Sequence, residues 1–211
     1  MKLILPPKGT LKPNDEHDPL PYYYRPAIGW LFRRRLRMAL DLLPAGGRRI
    51  LEVGVGSGVL VPTLSAHFAE YHGSDLVLAE GLDRLAAPSC QARFLKADLL
   101  DESSLAAEAY DAIVCLSVLE HIAKAEQAAS ALARALVKGG TLVTGYPMVN
   151  GFMSSMFRMI GFGSIEDHHV TAPATIHAAL SRVLRPVRRT ALPPFAPVAA
   201  SLYQCTAWVK A

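Results

Sequence analysis

Cysteine is scarce in this chain, and long apolar runs are missing from it. Cys90, Cys115 and Cys205 are the only three cysteines. They stand far apart with no CxxC pair, which leaves neither a disulfide framework nor a zinc site and predicts reduced thiols. The apolar runs are broken by charge or proline well before the roughly 18 residues that a membrane span requires. The opening MKLILPPKGTLKPNDEHDP has no apolar core of the kind a signal peptide carries, so a cytoplasmic chain is expected. Charge of one sign is also limited. The formal net charge is +4 and the pI is near 9.0, with much of the excess gathered in FRRRLR and RPVRR. Such a balance permits contact with nucleic acid or an anionic membrane without requiring either.

What is present suits one globular domain: 211 residues, 51% of them hydrophobic, are enough to bury a substantial core. There is no internal repeat. Residues 1–26 are rich in proline and mixed charge and lack a helical or strand period up to about Pro21, so they read as an extended, mobile arm. From Ala27 to Leu43, Ile28, Leu31, Leu36, Leu40 and Leu43 fall near helical spacing, and PAGG ends the segment. Short β-rich runs then alternate with helical ones: RRILEVG, VLVPTLSAHFA, YHGSDL, VLAEGLDRLA, ARFLKAD, SSLAAEA, YDAIVCLS, AEQAASALARALVKGG and TLVTGYP. Strand, helix, strand, helix predicts an α/β fold, a single doubly wound and mostly parallel sheet with helices on both faces. The unbroken apolar runs ILEV and AIVCL agree, because strands covered on both sides need no polar face. After Pro147 the rhythm changes, and residues 147–172 read as a variable lid within a domain of residues 27–211. The runs VRRTALPPF and SLYQCTAWVKA have no helix between them and are expected to pair antiparallel at the C-terminus.

The most informative stretch is ILEVGVGSG, residues 50–58, where a strand hands over to a helix. Open α/β sheets bind ligands there. Position 59 is Val59, which breaks GxGxxG, and no lysine follows the glycines as a P-loop requires. Glu52, two places before the turn, would repel a polyphosphate and favour an ammonium group. The ligand predicted from these residues carries positive charge.

With Glu52, Gly54, Gly56 and Gly58 spelling ExGxGxG, the chain resembles a class I S-adenosylmethionine-dependent methyltransferase of the small-molecule type with an LEHI motif, over roughly Ile50 to Tyr146. The resemblance implies a seven-stranded Rossmann-like sheet with the glycine turn against the methionine part of S-adenosylmethionine. It also implies Asp75, followed by Leu76, at the ribose hydroxyls. Asp98 would accept from the adenine amino group with Leu99 as an adjacent wall, and Cys115, Leu116 and Ser117 would line the pocket. From the residues alone, Asp75 and Asp98 could equally cap helices, and Cys115 could be a small core residue with no thiolate chemistry.

Methyl transfer needs in-line approach and exclusion of water, and an acceptor with a removable proton gains from a base. His121, His168 and His169 are the candidates; His121 is the one assigned, with a structural role at the start of a helix as the alternative. The acceptor is expected to be a small molecule, apolar or lipid-like. The soft apolar set Phe152, Met153, Met156, Phe157, Met159, Ile160 and Phe162 could roof it, pack as a buried helix, or touch an anionic membrane together with WLFRRRLR. The aromatic YYYRP, Tyr22 to Arg25, could fold over the cofactor or pack on the surface. Three competing readings stay open: a nucleic-acid methyltransferase, which lacks an NPPY-like tetrad after strand four; a non-catalytic S-adenosylmethionine-binding regulator or assembly partner; and an NAD protein. No metal site is predicted.

Overall fold

The computed structural model describes residues 1–15, 18–101, 103–148, 170–194 and 201–211. Its strands are β1 (Gly47–Val53), β2 (Phe68–Asp75), β3 (Gln91–Lys96), β4 (Tyr110–Leu116), β5 (Leu136–Pro147), β6 (Arg185–Leu192) and β7 (Tyr203–Val209). They form one sheet in the order β3-β2-β1-β4-β5-β7-β6. β1 to β5 pair in parallel, while β7 runs antiparallel to both β5 and β6. The expected C-terminal antiparallel pair is therefore present.

Among the described residues the helices are α1 (Leu20–Tyr23), α2 (Pro26–Leu40), α3 (Val61–Ser65), α4 (Ala125–Ala135) and α5 (Pro173–Val183). Side chains alternate across the continuously apolar strands. Ile50, Ala112, Val114 and Val143 enter a core with Phe32, Leu36 and Leu40 of α2 and with Leu64 of α3. Leu51, Val53, Ile113 and Leu142 enter a second core with Leu132 of α4, Ile176 and Leu180 of α5, and Trp208. Both faces of the sheet are thereby covered, which is why these strands carry no polar side. Trp208 is fully buried, and its indole N–H donates to Thr144 Oγ1 at 3.0 Å.

Several local expectations change. The helix at α2 begins on Pro26 and stops at Leu40, and its buried stripe is Phe32, Leu36, Ala39 and Leu40, with Ile28 and Leu31 only half-buried. VLAEGLDRLA forms just one 3₁₀ turn, Leu82–Leu85, entered through a left-handed Gly81. SSLAAEA forms no helix. The run AEQAASALARALVKGG divides: α4 ends at Ala135 and Leu136 is already paired with Tyr110.

The arm is extended but docked. Pro6 and Leu11 are buried, Ile4 N–H donates to Thr63 Oγ1 at 2.9 Å, and Tyr24 Oη donates to the Pro6 carbonyl at 2.8 Å. Burial of its few apolar residues against α2 and α3 overrides the disorder its composition suggests. Among the described residues no helix is long and apolar enough to cross a membrane.

Candidate active site

The strand order reverses between β1 and β4. β1 leads through α3 to one side and β4 leads through α4 to the other, so a crevice opens beyond their carboxyl ends. The glycine turn lies there. Gly54, Gly56 and Gly58 have φ of +79°, +49° and +82°, a region that a side chain makes costly. Gly54 and Val55 N–H donate to the Ser74 carbonyl at 2.8 and 3.0 Å, which binds the turn to the end of β2. A Cβ on Gly54 would collide with Val118 Cγ2, and one on Gly58 would lie 2.6 Å from Leu82 and 2.7 Å from Leu85. The turn is thus wedged between the segments that follow β4 and β2. We expect Gly54→Ala to lose roughly 2–3 kcal/mol of stability through left-handed strain and overpacking, measured by urea denaturation. A loss under 1 kcal/mol would show that Val118 yields freely.

Carboxylates gather at this turn. Asp75 Oδ2 accepts from Gly56 N–H at 2.8 Å, and its Oδ1 accepts from Val77 N–H at 3.4 Å. Asp75 is half-buried at the rim. Glu52 lies beneath, only 6% exposed, and takes the Tyr71 hydroxyl at 2.6 Å. Burial pushes its carboxyl up to about 8, opposed by the Tyr71 hydrogen bond and assisted by the neighbouring Asp75. Glu52 is therefore a packed and partnered group behind the turn.

The third carboxylate, Asp18, comes from the arm and is not visible as a site residue in the sequence. Its Oδ1 accepts from Ser57 Oγ at 3.3 Å and Leu20 N–H at 2.8 Å, and its Oδ2 accepts from Asn14 N–H at 3.1 Å. A Cβ on Gly56 would stand 3.9 Å from Asp18 Oδ2 and 4.0 Å from Asn14 Oδ1, so the arm crosses directly over the turn. Asn14 Nδ2 reaches the Val77 carbonyl at 3.3 Å, and Lys12 pairs with Glu80 at 2.8 Å. Burial is the main cause that raises the Asp18 carboxyl.

Other sequence-predicted residues divide by position. Leu76 is 59% exposed beside Asp75. Asp98 is exposed after β3, and its Oδ1 accepts from Leu100 N–H at 2.9 Å, a local turn of the capping kind. Leu99 and Cys115 are buried in the α4-side core. Burial raises the Cys115 thiol far above its usual range, so it is no thiolate. Leu116 packs on the α2-side core. In YYYR, Tyr22 stacks on Phe32 with centroids 5.4 Å apart and Arg25 lies 4.7 Å over the Tyr22 ring, so this segment packs on α2. Trp30 is 56% exposed on α2. His168, His169 and the apolar set from Phe152 to Phe162 lie outside the described residues.

LEHI resolves into an unequal pair. Ser117 takes φ of +55°, its N–H donates to the Gly145 carbonyl at 2.7 Å, and the chain then makes one 3₁₀ turn, Leu119–His121. That turn exposes His121 and buries Glu120 to 2% exposure. Burial pushes the Glu120 carboxyl up to about 8 against the pull of its own backbone N–H and of Arg35. The residue facing inward is thus the neighbour of the one chosen from sequence.

Among the described residues no group of histidine, cysteine and carboxylate side chains could hold a metal ion. The site fits a cationic ligand better than a polyanion, because Asp75 stands at its rim and the turn's N–H groups are already partly used by Asp75 and Ser74.

Comparison with known proteins agrees with this geometry. Residues 51–142 match the family model described as a methyltransferase domain. A ubiquinone biosynthesis O-methyltransferase of Paracidovorax citrulli is 33% identical over 139 residues, covering 63% of this chain and 52% of that protein. One from Burkholderia vietnamiensis is 28% identical, covering 71% and 62%. The chain spans about half the length of the curated relatives it matches. In fold, the N-methyltransferase NodS of Bradyrhizobium japonicum, solved with S-adenosyl-L-homocysteine, superposes with a TM-score of 0.64 at 19% identity over 93% of both chains. The geranyl diphosphate C-methyltransferase of Streptomyces coelicolor gives 0.65 at 15% identity over 87% of this chain and 80% of that one. Residues 51–142 thus resemble a methyltransferase domain, and the glycine turn lies at the reversal point of a seven-stranded sheet whose fold these methyltransferase structures share.

Proposed function

We propose that the chain is an enzyme that moves a methyl group from S-adenosylmethionine to a small-molecule acceptor, leaving S-adenosylhomocysteine. The observation that carries this reading is the meeting of three left-handed glycines with Asp75, Glu52 and Asp18 at the exit of β1. In this reading the backbone of Gly54, Gly56 and Gly58 and the Asp18 carboxylate face the donor's amino-acid end. Asp75 and Leu76 take its ribose, and Asp98 and Leu99 take its adenine. Glu52 packs behind the turn, partnered by the Tyr71 hydroxyl, and Cys115 and Leu116 contribute through the strand end that carries them.

When bound, the donor's sulfonium supplies an electrophilic methyl group. The chain's own work is to orient the acceptor, exclude water and take up a proton. The curated relatives are named as O-methyltransferases, which favours an oxygen acceptor here. Residues 27–211 then form the catalytic domain, 1–26 a strap over the donor, and 147–172 the substrate-side cover. Three free thiols support a cytoplasmic setting.

Calorimetric titration tests the reading: S-adenosylhomocysteine is expected to bind and NADH is not. Heat with NADH and none with S-adenosylhomocysteine would overturn it, and donor binding without turnover on any hydroxylated metabolite extract would leave only a binding protein. His121 is a base in this scheme only if its imidazole reaches the acceptor. Since it is exposed while Glu120 is buried, we expect His121→Ala to keep the rate within about twofold from pH 6 to 9, far less than the 10²–10⁴-fold a general base contributes. A loss of a hundredfold restores His121 to the mechanism.

A further inference from the structure

Near the crevice a buried carboxyl, Glu120, and the buried Nε of a half-buried arginine, Arg35, are both left without hydrogen-bond partners. Neither Glu120 carboxylate oxygen meets a donor from another described residue, and Arg35 Nε has no acceptor. No ion pair within 4.0 Å joins them among the described residues, yet each acts electrostatically on the other. Their backbones are held in place. Glu120 carbonyl accepts from Val170 and Thr171 N–H at 2.9 and 3.1 Å, and Thr171 Oγ1 donates to the Ile122 carbonyl at 2.7 Å. Arg35 is gripped through Nη2, which donates to Tyr23 Oη at 3.3 Å, and through its guanidinium, which lies 4.3 Å over Phe32 and 5.1 Å over Tyr203. Leaving these buried polar atoms without partners carries a desolvation cost that a ligand could recover.

The surroundings are aromatic and hydroxylic. Tyr203 Oη and Ser117 Oγ are 3.1 Å apart. Glu120 sits in the turn that follows Ser117, whose N–H donates to the Gly145 carbonyl and whose hydroxyl lies beside Tyr203, so this turn stands at the carboxyl ends of β4 and β5 near the start of β7. A Cβ on Gly54 would strike Val118, so the turn bearing Glu120 packs directly on the glycine turn. The unused groups are two carboxylate acceptors and one guanidinium donor. A ligand hydroxyl supplies one donor and one acceptor, enough for one Glu120 oxygen and for Arg35 Nε.

We propose that Arg35 and Glu120, with Tyr203 and Ser117 beside them, form the recognition site for the acceptor's hydroxyl group: the acceptor O–H donates to Glu120 and its oxygen accepts from Arg35 Nε–H. The inference rests on the methyl-transfer reading for the word acceptor, but its binding chemistry is testable without the donor. Phenol and its methyl ether, anisole, are the probes, titrated into the full chain by ligand-observed NMR with no donor present. A site built to hydrogen-bond a hydroxyl rejects the analogue lacking it, so phenol is expected to bind at least about tenfold more tightly than anisole. Glu120→Gln and Arg35→Lys should each erase most of that preference, while S-adenosylhomocysteine affinity in Glu120→Gln stays within twofold. If Arg35→Lys fails to fold, Glu120→Gln alone decides, since it keeps shape and replaces one carboxyl oxygen by an NH2 donor. Equal binding of phenol and anisole, no binding of phenol, or a preference untouched in Glu120→Gln overturns the proposal, and the gap then holds only water. Failure of S-adenosylhomocysteine to bind the unaltered chain would instead sink the donor reading and leave the phenol result standing.

Discussion

Asp75→Ala is expected to weaken S-adenosylhomocysteine binding about 100-fold, a loss near 2.7 kcal/mol, because it removes charge-assisted hydrogen bonds to a ligand's hydroxyls. The same carboxylate also holds Gly56 N–H at 2.8 Å. Asp75→Asn retains an oxygen acceptor for that N–H, so it separates the two roles: we expect about tenfold weakening, between the parent and the alanine variant. Calorimetry reads both affinities, and a thermal melt guards against unfolding. Should Asp75→Ala bind the ligand as the parent does, the ribose does not lie at the end of β2, and the donor must sit elsewhere on the sheet.

Glu52 governs the largest expected effect on stability. Its carboxyl is raised to about 8 in the folded chain from an ordinary 4.5, with burial as the leading cause. The folded state therefore holds this proton more tightly than the unfolded state does. The stability that results is complete below about pH 4.5 and is lost as pH rises through about 8. Across that window the loss is on the order of 5 kcal/mol, or roughly 10–20 °C in Tm for a chain of this size. Glu52→Gln keeps an oxygen for the Tyr71 hydroxyl and removes the charge. It should melt above the parent at pH 8.5 and match it at pH 5. Glu120, raised in the same direction, keeps part of the slope in that variant. A Glu52→Gln protein that follows the parent at every pH would mean that Glu52 is already solvated or re-paired when it ionises.

The glycine turn and its rim carboxylate were legible because their geometry is local. A strand ending in ExGxGxG makes a turn whose glycines need left-handed backbone, and the three positive φ values follow from that alone. Asp75 was legible because the second strand must end beside the first, and Ser74 indeed takes the N–H groups of Gly54 and Val55. The helical runs were less so. VLAEGLDRLA has helix-like composition, but its connection is too short and tightly turned at Gly81 to propagate beyond one 3₁₀ turn.

The acceptor side was hidden for other reasons. Arg33, Arg34 and Arg35 look alike in sequence, yet only the helical phase shared with Phe32 carries Arg35 against Tyr203. Glu120 and His121 are adjacent, and which of them faces inward depends on the left-handed Ser117 and on Val118 packing against Gly54. Asp18 belongs to a segment that composition reads as loose, and its place over Gly56 comes from burial of Pro6 and Leu11 elsewhere along the arm.

By itself, the sequence determined the layered parallel sheet, the antiparallel C-terminal pair and the glycine turn with its rim carboxylate, because hydrophobic period and glycine geometry act between near neighbours. Only the tertiary structure decided that the arm covers the turn, that Glu120 turns inward and that Arg35 Nε is left without an acceptor. Those outcomes depend on contacts between residues distant in the chain, where burial outweighs local preference.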